Sequence, residues 1–289
     1  MNGKIIKAQK ELYYVETGDK IYMAKARGNF RKKGIKPLVG DNVVIDIQDE
    51  NNAYITEILE RRNAIKRPNI ANVDQMLVFV TITDPPLNLY NLDKYLSMCE
   101  YENINVVIVL SKKDLATSEK INNLTDIYQK IGYTILTLDN YNDFPEEEIK
   151  EILKGKTSAV SGASGVGKST FLNNLVENNL EIGEISEKLK RGKNTTRHTE
   201  IFTIENDTYI FDTPGFDSFD FDFLEDENNL KYTFREMADT NCRFKNCNHI
   251  NEPDCEVKEK LANGEIAKSR YENYLMIFNE LKERRENKW

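Results

Sequence analysis

No stretch of this 289-residue chain approaches the roughly 20 consecutive apolar residues that carry a helix across a bilayer. The start, Met1-Asn2-Gly3-Lys4, lacks the apolar core of a secretory signal, so the expectation is a cytoplasmic protein with no membrane partner. Cysteine is scarce, with four residues, three of them between 242 and 255. That pattern argues against a disulfide framework and favours metal. An excess of positive charge is missing too. Forty Lys and Arg against 48 Asp and Glu leave a formal net charge of −8, so any nucleic-acid surface has to be local. What remains, 39% apolar and 30% charged residues, is ordinary for a folded globular chain. The length allows about two domains, or three small ones.

The most informative stretch is Gly162-Ala163-Ser164-Gly165-Val166-Gly167-Lys168-Ser169. It follows the apolar run Thr157–Val160, which reads as a buried strand, and precedes Thr170–Val176, which reads as a helix. This is the G-x-x-x-x-G-K-[ST] phosphate loop in a strand–loop–helix setting. The glycines let successive backbone N–H groups turn toward phosphate oxygens, and the new helix adds the positive end of its dipole. Lys168 can reach the β- and γ-phosphates, the Ser169 hydroxyl can ligate Mg²⁺, and Thr170, opening the helix, is counted with the nucleotide-binding residues. The chain is therefore expected to bind a nucleoside triphosphate.

Residues 1–62 read as five short strands, Ile5–Lys7, Leu12–Glu16, Ile21–Ala26, Val43–Ile47 and Ala53–Ile58, without a convincing helix. That pattern suggests a small closed barrel of the oligonucleotide-binding type. Between its third and fourth strands lie Lys25, Arg27, Arg31, Lys32, Lys33 and Lys36, with no acid among them. They could follow a phosphate backbone, with Phe30 available for stacking, although a loop kept soluble by charge would look the same. Arg61–Pro68 reads as a linker.

Residues 63–225 change to α/β. Met76–Ile82 and Val106–Leu110 are buried strands, with helical spacing over Leu92–Tyr101 and Asn91 as its candidate cap. Further elements are expected at 118–131 (helix), 134–138 (strand) and 146–153 (helix). The second buried strand runs into Ser111-Lys112-Lys113-Asp114, which resembles the N/T-K-x-D motif of GTPases. A carboxylate at Asp114 can accept two hydrogen bonds, from N1–H and the 2-amino group of guanine. Adenine offers neither in that arrangement. Lys112 would lie over the base. Ser111 stands where Asn or Thr is usual. It keeps a hydroxyl but loses reach, so the expectation is GTP over ATP with modest affinity.

Beyond the phosphate loop, Lys188–His198 reads as a basic loop. Strands Glu200–Ile204 and Thr208–Phe211 follow, and the second ends in Asp212-Thr213-Pro214-Gly215. A D-x-P-G after an apolar strand matches the metal-side motif of GTPases. In that motif Asp212 would hold Mg²⁺ through water, the Gly215 N–H would sense the γ-phosphate, and one of Thr195 or Thr196, with Thr196 favoured, would close over the ion. Residues 226–289 hold Cys242, Cys247, His249 and Cys255 in C-x₄-C-x-H-x₅-C spacing. Three thiolates and one imidazole suit a closed tetrahedral structural Zn²⁺ that staples a small domain. The stripe Tyr271, Tyr274, Leu275, Phe278 and Leu281 reads as the core face of a final helix.

In the common GTPase arrangement the base motif follows both phosphate motifs. Here it comes first, at 111–114, ahead of 162–169 and 212–215. The same sheet forms if the chain is cut elsewhere and its old ends are joined. With the barrel before, the Cys/His cluster after, and Asn72-Val73-Asp74-Gln75 opening the α/β region, essentially the whole chain resembles the bacterial ribosome small subunit-dependent GTPase A family. The resemblance implies a circularly permuted P-loop GTPase domain between an all-β barrel and a small, mostly helical zinc-binding domain. It implies GTP as substrate, GDP as product, Mg²⁺ and one structural Zn²⁺ as cofactors. The implied partner is the small ribosomal subunit and its rRNA, met by a monomer late in subunit maturation. Lys168 and Thr196 would serve the transferring phosphoryl group. Many GTPases carry Gln after D-x-x-G, but here the residue is Phe216. The family's water-positioning His falls on Asn194, with His198 four residues on, so these two are the candidates. Because 212–215 runs into the last domain, hydrolysis could reposition that domain. Two other readings stay open: a phosphotransferase, and an RNA-binding assembly module holding guanine nucleotide as a structural ligand.

Overall fold

The computed structural model describes residues 1–18, 20–28, 30, 34–65, 69–178, 200–205, 207–212 and 224–287. The first five strands are β1 (Asn2–Gln9), β2 (Leu12–Glu16), β3 (Ile21–Ala26), β4 (Asn42–Ile47) and β5 (Asn52–Ile58). Their order β1-β2-β3-β5-β4 closes through β1–β4 pairing into a barrel. Along β3, Tyr22 and Ala24 are buried while Ile21, Met23 and Lys25 face out, the period of two that a one-sided strand requires. Ile5, Val15, Ala24, Val43 and Ile55 fill the interior. Phe30, which the sequence offered for stacking, is partly buried and packs against this core.

The stretch expected to be a linker carries structure. β6 (Ala64–Ile65) pairs with β7 (Ile70–Ala71). Arg61 makes a two-pronged ion pair at 2.7 and 2.8 Å with the buried Asp41 carboxylate. Gly40 has φ +95°, and a Cβ there would lie 2.1 Å from the Ala71 carbonyl oxygen, so only glycine lets the barrel approach this closely.

The α/β region is built on β8 (Gln75–Val80), β9 (Asn105–Leu110), β10 (Thr134–Thr137), β11 (Thr157–Gly162), β12 (Glu200–Glu205) and β13 (Thr208–Asp212). The order is β10-β9-β8-β11-β13-β12, parallel except for β12. Its helices are α1 (Leu89–Tyr101), α2 (Ser118–Gln129), α3 (Glu146–Leu153) and α4 (Lys168–Asn178). Alternate residues of β8 serve opposite faces. Met76, Val78 and Val80 pack with Leu92, Leu96 and Tyr128, whereas Leu77 and Phe79 pack with Ile149, Leu153 and Phe171. That is why the strand reads as a continuous apolar run. Helix α1 begins at Leu89, earlier than expected. Its cap is Asn88, whose side chain accepts from the Asn91 N–H. β1 also pairs with β12, Lys7 opposite Glu200, which joins the barrel to the sheet edge.

The last region holds a 3₁₀ turn (Glu227–Thr233), α5 (Arg235–Ala238), α6 (Glu256–Ala262) and α7 (Lys268–Glu286). It packs against α1 around Arg270, which is 1% exposed. The guanidinium bonds Asp93 of α1 at 2.5 Å and Glu236 of α5 at 2.7 and 3.1 Å. The Tyr128 hydroxyl and the Asn273 side-chain nitrogen both donate to Asp93, at 2.7 and 2.6 Å. Burial pushes the Asp93 carboxyl up, and Arg270 opposes that shift by favouring its charged form. Around this centre lie Lys94–Glu280, Arg235–Glu100 and the Ser97–Thr233 hydrogen bond. A swing of the C-terminal region on hydrolysis would have to open these buried charges, which makes the region one body with α1. Arg270→Ala leaves two buried carboxylates without their cation. It is expected to cost about 3–5 kcal/mol, read as a lower denaturation midpoint, and an unchanged midpoint would refute this role.

Candidate nucleotide site and metal centre

The carboxyl ends of β8, β9, β10 and β11 meet on one side of the sheet, the usual position of a crevice in an open α/β fold. β11 delivers Gly162, at φ +141°, where a Cβ would lie 2.4 Å from the Phe79 carbonyl oxygen. Gly167, at φ +91°, has the Asn140 side-chain nitrogen 2.8 Å from where its Cβ would be. Both glycines are therefore required for the loop to curl against its neighbours. Ala163, Ser164 and Gly165 are exposed, Val166 is buried, and Lys168 opens α4 with Ser169 and Thr170 in its first turn. The Lys168 ammonium donates to the Gly162 and Ala163 carbonyls at 2.7 and 2.6 Å, so it lies along the loop it is expected to serve.

The base motif adjoins this loop. Ser111, at the end of β9, is 1% exposed. Its N–H donates to Val80 O at 3.0 Å and its hydroxyl to Val166 O at 2.5 Å. The side chain thus points to the phosphate loop, and the expected shortfall in reach to the base takes a different form: Ser111 is a tether. Lys112 takes a left-handed backbone, φ 54°, and its ammonium donates to Asp84 O at 3.0 Å. Lys113 forms an ion pair with Asp143, and Asp114 is exposed in the turn Lys113–Leu115.

One residue was missed from the sequence. Asn140, buried in the loop after β10, donates from its side-chain nitrogen to Gly167 O at 3.2 Å. Its own carbonyl accepts from Asn174 at 2.7 Å. Its side-chain oxygen is buried without a hydrogen-bond partner among the described residues. The only available signal was its position just beyond the end of a parallel strand.

Asp212 is the last residue of β13, which runs parallel to β11. Asn194, Thr196, His198 and Gly215 lie outside the described residues, as do Arg31, Lys32 and Lys33. Of the remaining basic positions, Lys25 and Lys36 are exposed, and Arg27 pairs with Asp46 at 2.7 Å.

Cys242, Cys247, His249 and Cys255 converge, with ligand atoms within 4.8 Å of one another. His249 Nδ1 lies 3.5, 3.5 and 3.4 Å from the sulfurs of Cys242, Cys247 and Cys255. The Cys242 and Cys255 sulfurs are 3.9 Å apart. A tetrahedron with Zn–S of about 2.3 Å and Zn–N of about 2.0 Å has edges of about 3.5 Å for S···N and about 3.8 Å for S···S, so the cluster fits zinc. His249 adopts φ 61°, a left-handed turn that brings the imidazole back to Cys247. Tyr271 and Tyr274 of α7 donate to the His249 and Asn248 carbonyls at 2.7 and 2.8 Å, and Lys231 donates to Cys247 O at 2.9 Å. The helical core therefore holds the ligand loop from outside. Burial pushes the Cys247 thiol up to about 12, so in the absence of a cation it stays protonated. Cys247→Ser is expected to drop bound zinc from about one per chain to a small fraction and to lower the melting midpoint. The buried, isolated Cys99 changed to Ser should leave the zinc content intact. Elemental analysis checks both, and full zinc retention by Cys247→Ser would exclude that ligand.

The comparisons with known proteins agree with the order of these sites. The RsgA GTPase family model matches residues 58–222, and the RsgA N-terminal domain model matches residues 2–55. A relative from Alkaliphilus metalliredigens, named small ribosomal subunit biogenesis GTPase RsgA, is 42% identical over 288 residues, covering 98% of each chain. One of the same name from Agathobacter rectalis is 43% identical over 300 residues, covering 98% of this chain and 99% of its own. The structure of YjeQ from Thermotoga maritima superposes with a TM-score of 0.84 at 34% identity, covering 97% of this chain and 98% of its own. That of YloQ, described as a circularly permuted GTPase, gives 0.81 at 34% identity, covering 98% and 95%. The two family models cover the barrel and the α/β region, the base motif precedes the phosphate loop as a circular permutation requires, and this chain belongs to the RsgA family of circularly permuted GTPases.

Proposed function

We propose that this chain hydrolyses GTP to GDP and phosphate in the assembly of the small ribosomal subunit. In this reading it acts as a monomer late in maturation, the subunit stimulates turnover, and ribosomal RNA is held by the barrel and the metal-binding region. The observation that carries the reading is the gathering of base motif, phosphate loop and β13 terminus on the carboxyl side of one parallel sheet. Asp114 is exposed where a guanine edge can meet it, and Lys112 is half-buried beside it, where its stem can cover the base. Lys168 exchanges two loop carbonyls for phosphate oxygens, gaining charge-assisted bonds. Ser169, Asp212 and Thr196 would hold Mg²⁺, which when bound neutralises charge on the transferring phosphoryl group. The Gly215 N–H would sense the γ-phosphate, and Asn194 or His198 would aim the water. Lys25, Arg27, Arg31, Lys32, Lys33 and Lys36 would meet the RNA backbone, and Cys242, Cys247, His249 and Cys255 would hold Zn²⁺. Phe216, in place of a glutamine, supports slow turnover by the isolated chain.

The test is GTP turnover with and without purified small subunits. A rise of an order of magnitude or more is expected, and an identical rate would overturn the stimulation. His198→Ala should abolish the rise if His198 aims the water; full stimulated turnover would remove His198 from that role. Base choice has its own check. Asp114→Asn should move the preference from GTP toward XTP, because xanthine carries a carbonyl where guanine carries the 2-amino group. Undiminished discrimination for GTP would remove Asp114 from base recognition.

A further inference from the structure

Phe30 was the aromatic side chain that the sequence offered for stacking, and it is packed against the barrel core. The outer wall of the barrel carries another. Tyr54 on β5 is 41% exposed, between the buried Ala53 and Ile55, so its ring faces out. It stands directly opposite Lys25 on β3 and opposite Asp46 on β4, and Arg27 pairs with that Asp46. Met23, two residues before Lys25 on the same face, is 38% exposed. Ile21 and Ile47, both exposed, continue the apolar surface on β3 and β4. Nothing among the described residues covers these side chains.

The charge around this wall chooses its occupant. Residues 20–36 carry seven cations and no acid, in a chain whose net charge is −8. Lys25, next to the Tyr54 ring, and Arg27 beyond it lead directly into that segment. An aromatic face flanked by cations on the outer strands of a five-stranded barrel has the chemistry of a base-stacking platform beside a phosphate track. A protein partner would be met by the apolar residues but would leave the run of cations without a counterpart. We infer that Tyr54 and Lys25 form a single-stranded RNA subsite, in which an unpaired base stacks on the Tyr54 ring and Lys25 holds the adjoining phosphate. The inference rests on the proposed RNA contact of the barrel and names where and how that contact is made. Unpaired bases are required, because a paired base in an RNA duplex has no free face to offer the ring.

The experiment is fluorescence anisotropy of a labelled single-stranded oligoribonucleotide with the full chain, over a salt series. Tyr54→Ala is expected to weaken binding at least fivefold with the salt slope unchanged, since stacking involves no counterion release. Tyr54→Phe keeps the ring face and should bind within about twofold of the parent. Lys25→Ala should lower the slope of log K against log salt by about 0.7, the value for one phosphate on a single strand. Tyr101→Ala, an exposed tyrosine on α1, should change nothing, and melting midpoints confirm that every variant is folded. If Lys25→Ala and Lys36→Ala weaken binding while Tyr54→Ala does not, the stacking platform is overturned and RNA contact by the barrel stands. If none of the three matters, RNA contact by the barrel fails with it. If a duplex of the same sequence binds with the same dependence on Tyr54, or if Tyr54→Ala loses only a ribosomal protein, the assignment to an unpaired base is wrong.

Discussion

Two consecutive carbonyls of the phosphate loop, those of Val166 and Gly167, each accept a hydrogen bond from a side chain on a neighbouring loop. Ser111 comes from the base motif and Asn140 from the loop after β10, and both are buried. The remaining geometry of the nucleotide site depends on these two bonds. They hold the base motif, the loop after β10 and the phosphate loop in one piece, although the bonded residues are more than 25 positions apart in the chain. A glycine at 167 is part of the same device, because a side chain there would displace Asn140.

The permuted connectivity places this unit between two other bodies without leaving it loosely attached to either. On one side β1 pairs with β12, and the Arg61–Asp41 ion pair and the Gly40–Ala71 approach close the junction. On the other, Arg270 binds carboxylates from both α1 and α5 in a buried cluster. A buried charge pair is poor evidence for net stability, but it is directional and costly to leave half-satisfied. It therefore specifies one docking of the C-terminal region on α1. The candidate metal ligands converge in the loop 242–255, and α7 supplies the tyrosines that brace it. The Cys/His cluster and the interdomain cluster share that helix.

Much of this was legible in the amino-acid order, for local reasons. Period-two alternation marked the barrel strands, because each has one wet face. The unbroken apolar run of β8 marked a strand covered twice. The phosphate loop announced itself because few residue types permit its backbone. The convergence of Cys242, Cys247, His249 and Cys255 was legible because their short spacings close small loops. The misreadings have equally specific causes. Asn91 competed with Asn88 for the cap of α1, and hydrogen bonding chose the residue one turn earlier. Phe30 looked available because a loop position says nothing about which way a ring turns, and it turned inward.

By itself, then, the amino-acid order determined the fold class and the permuted succession of motifs, since each depends on neighbours in the chain or on a backbone few residues allow. Tertiary structure alone decided what Ser111 bonds, that Asn140 adjoins the phosphate loop, that Arg270 locks the last region to α1, and that Tyr54 faces solvent while Phe30 is partly buried against the barrel core. Each of those facts depends on a contact between segments distant in the chain, where burial and hydrogen-bond satisfaction choose among partners that local pattern cannot rank.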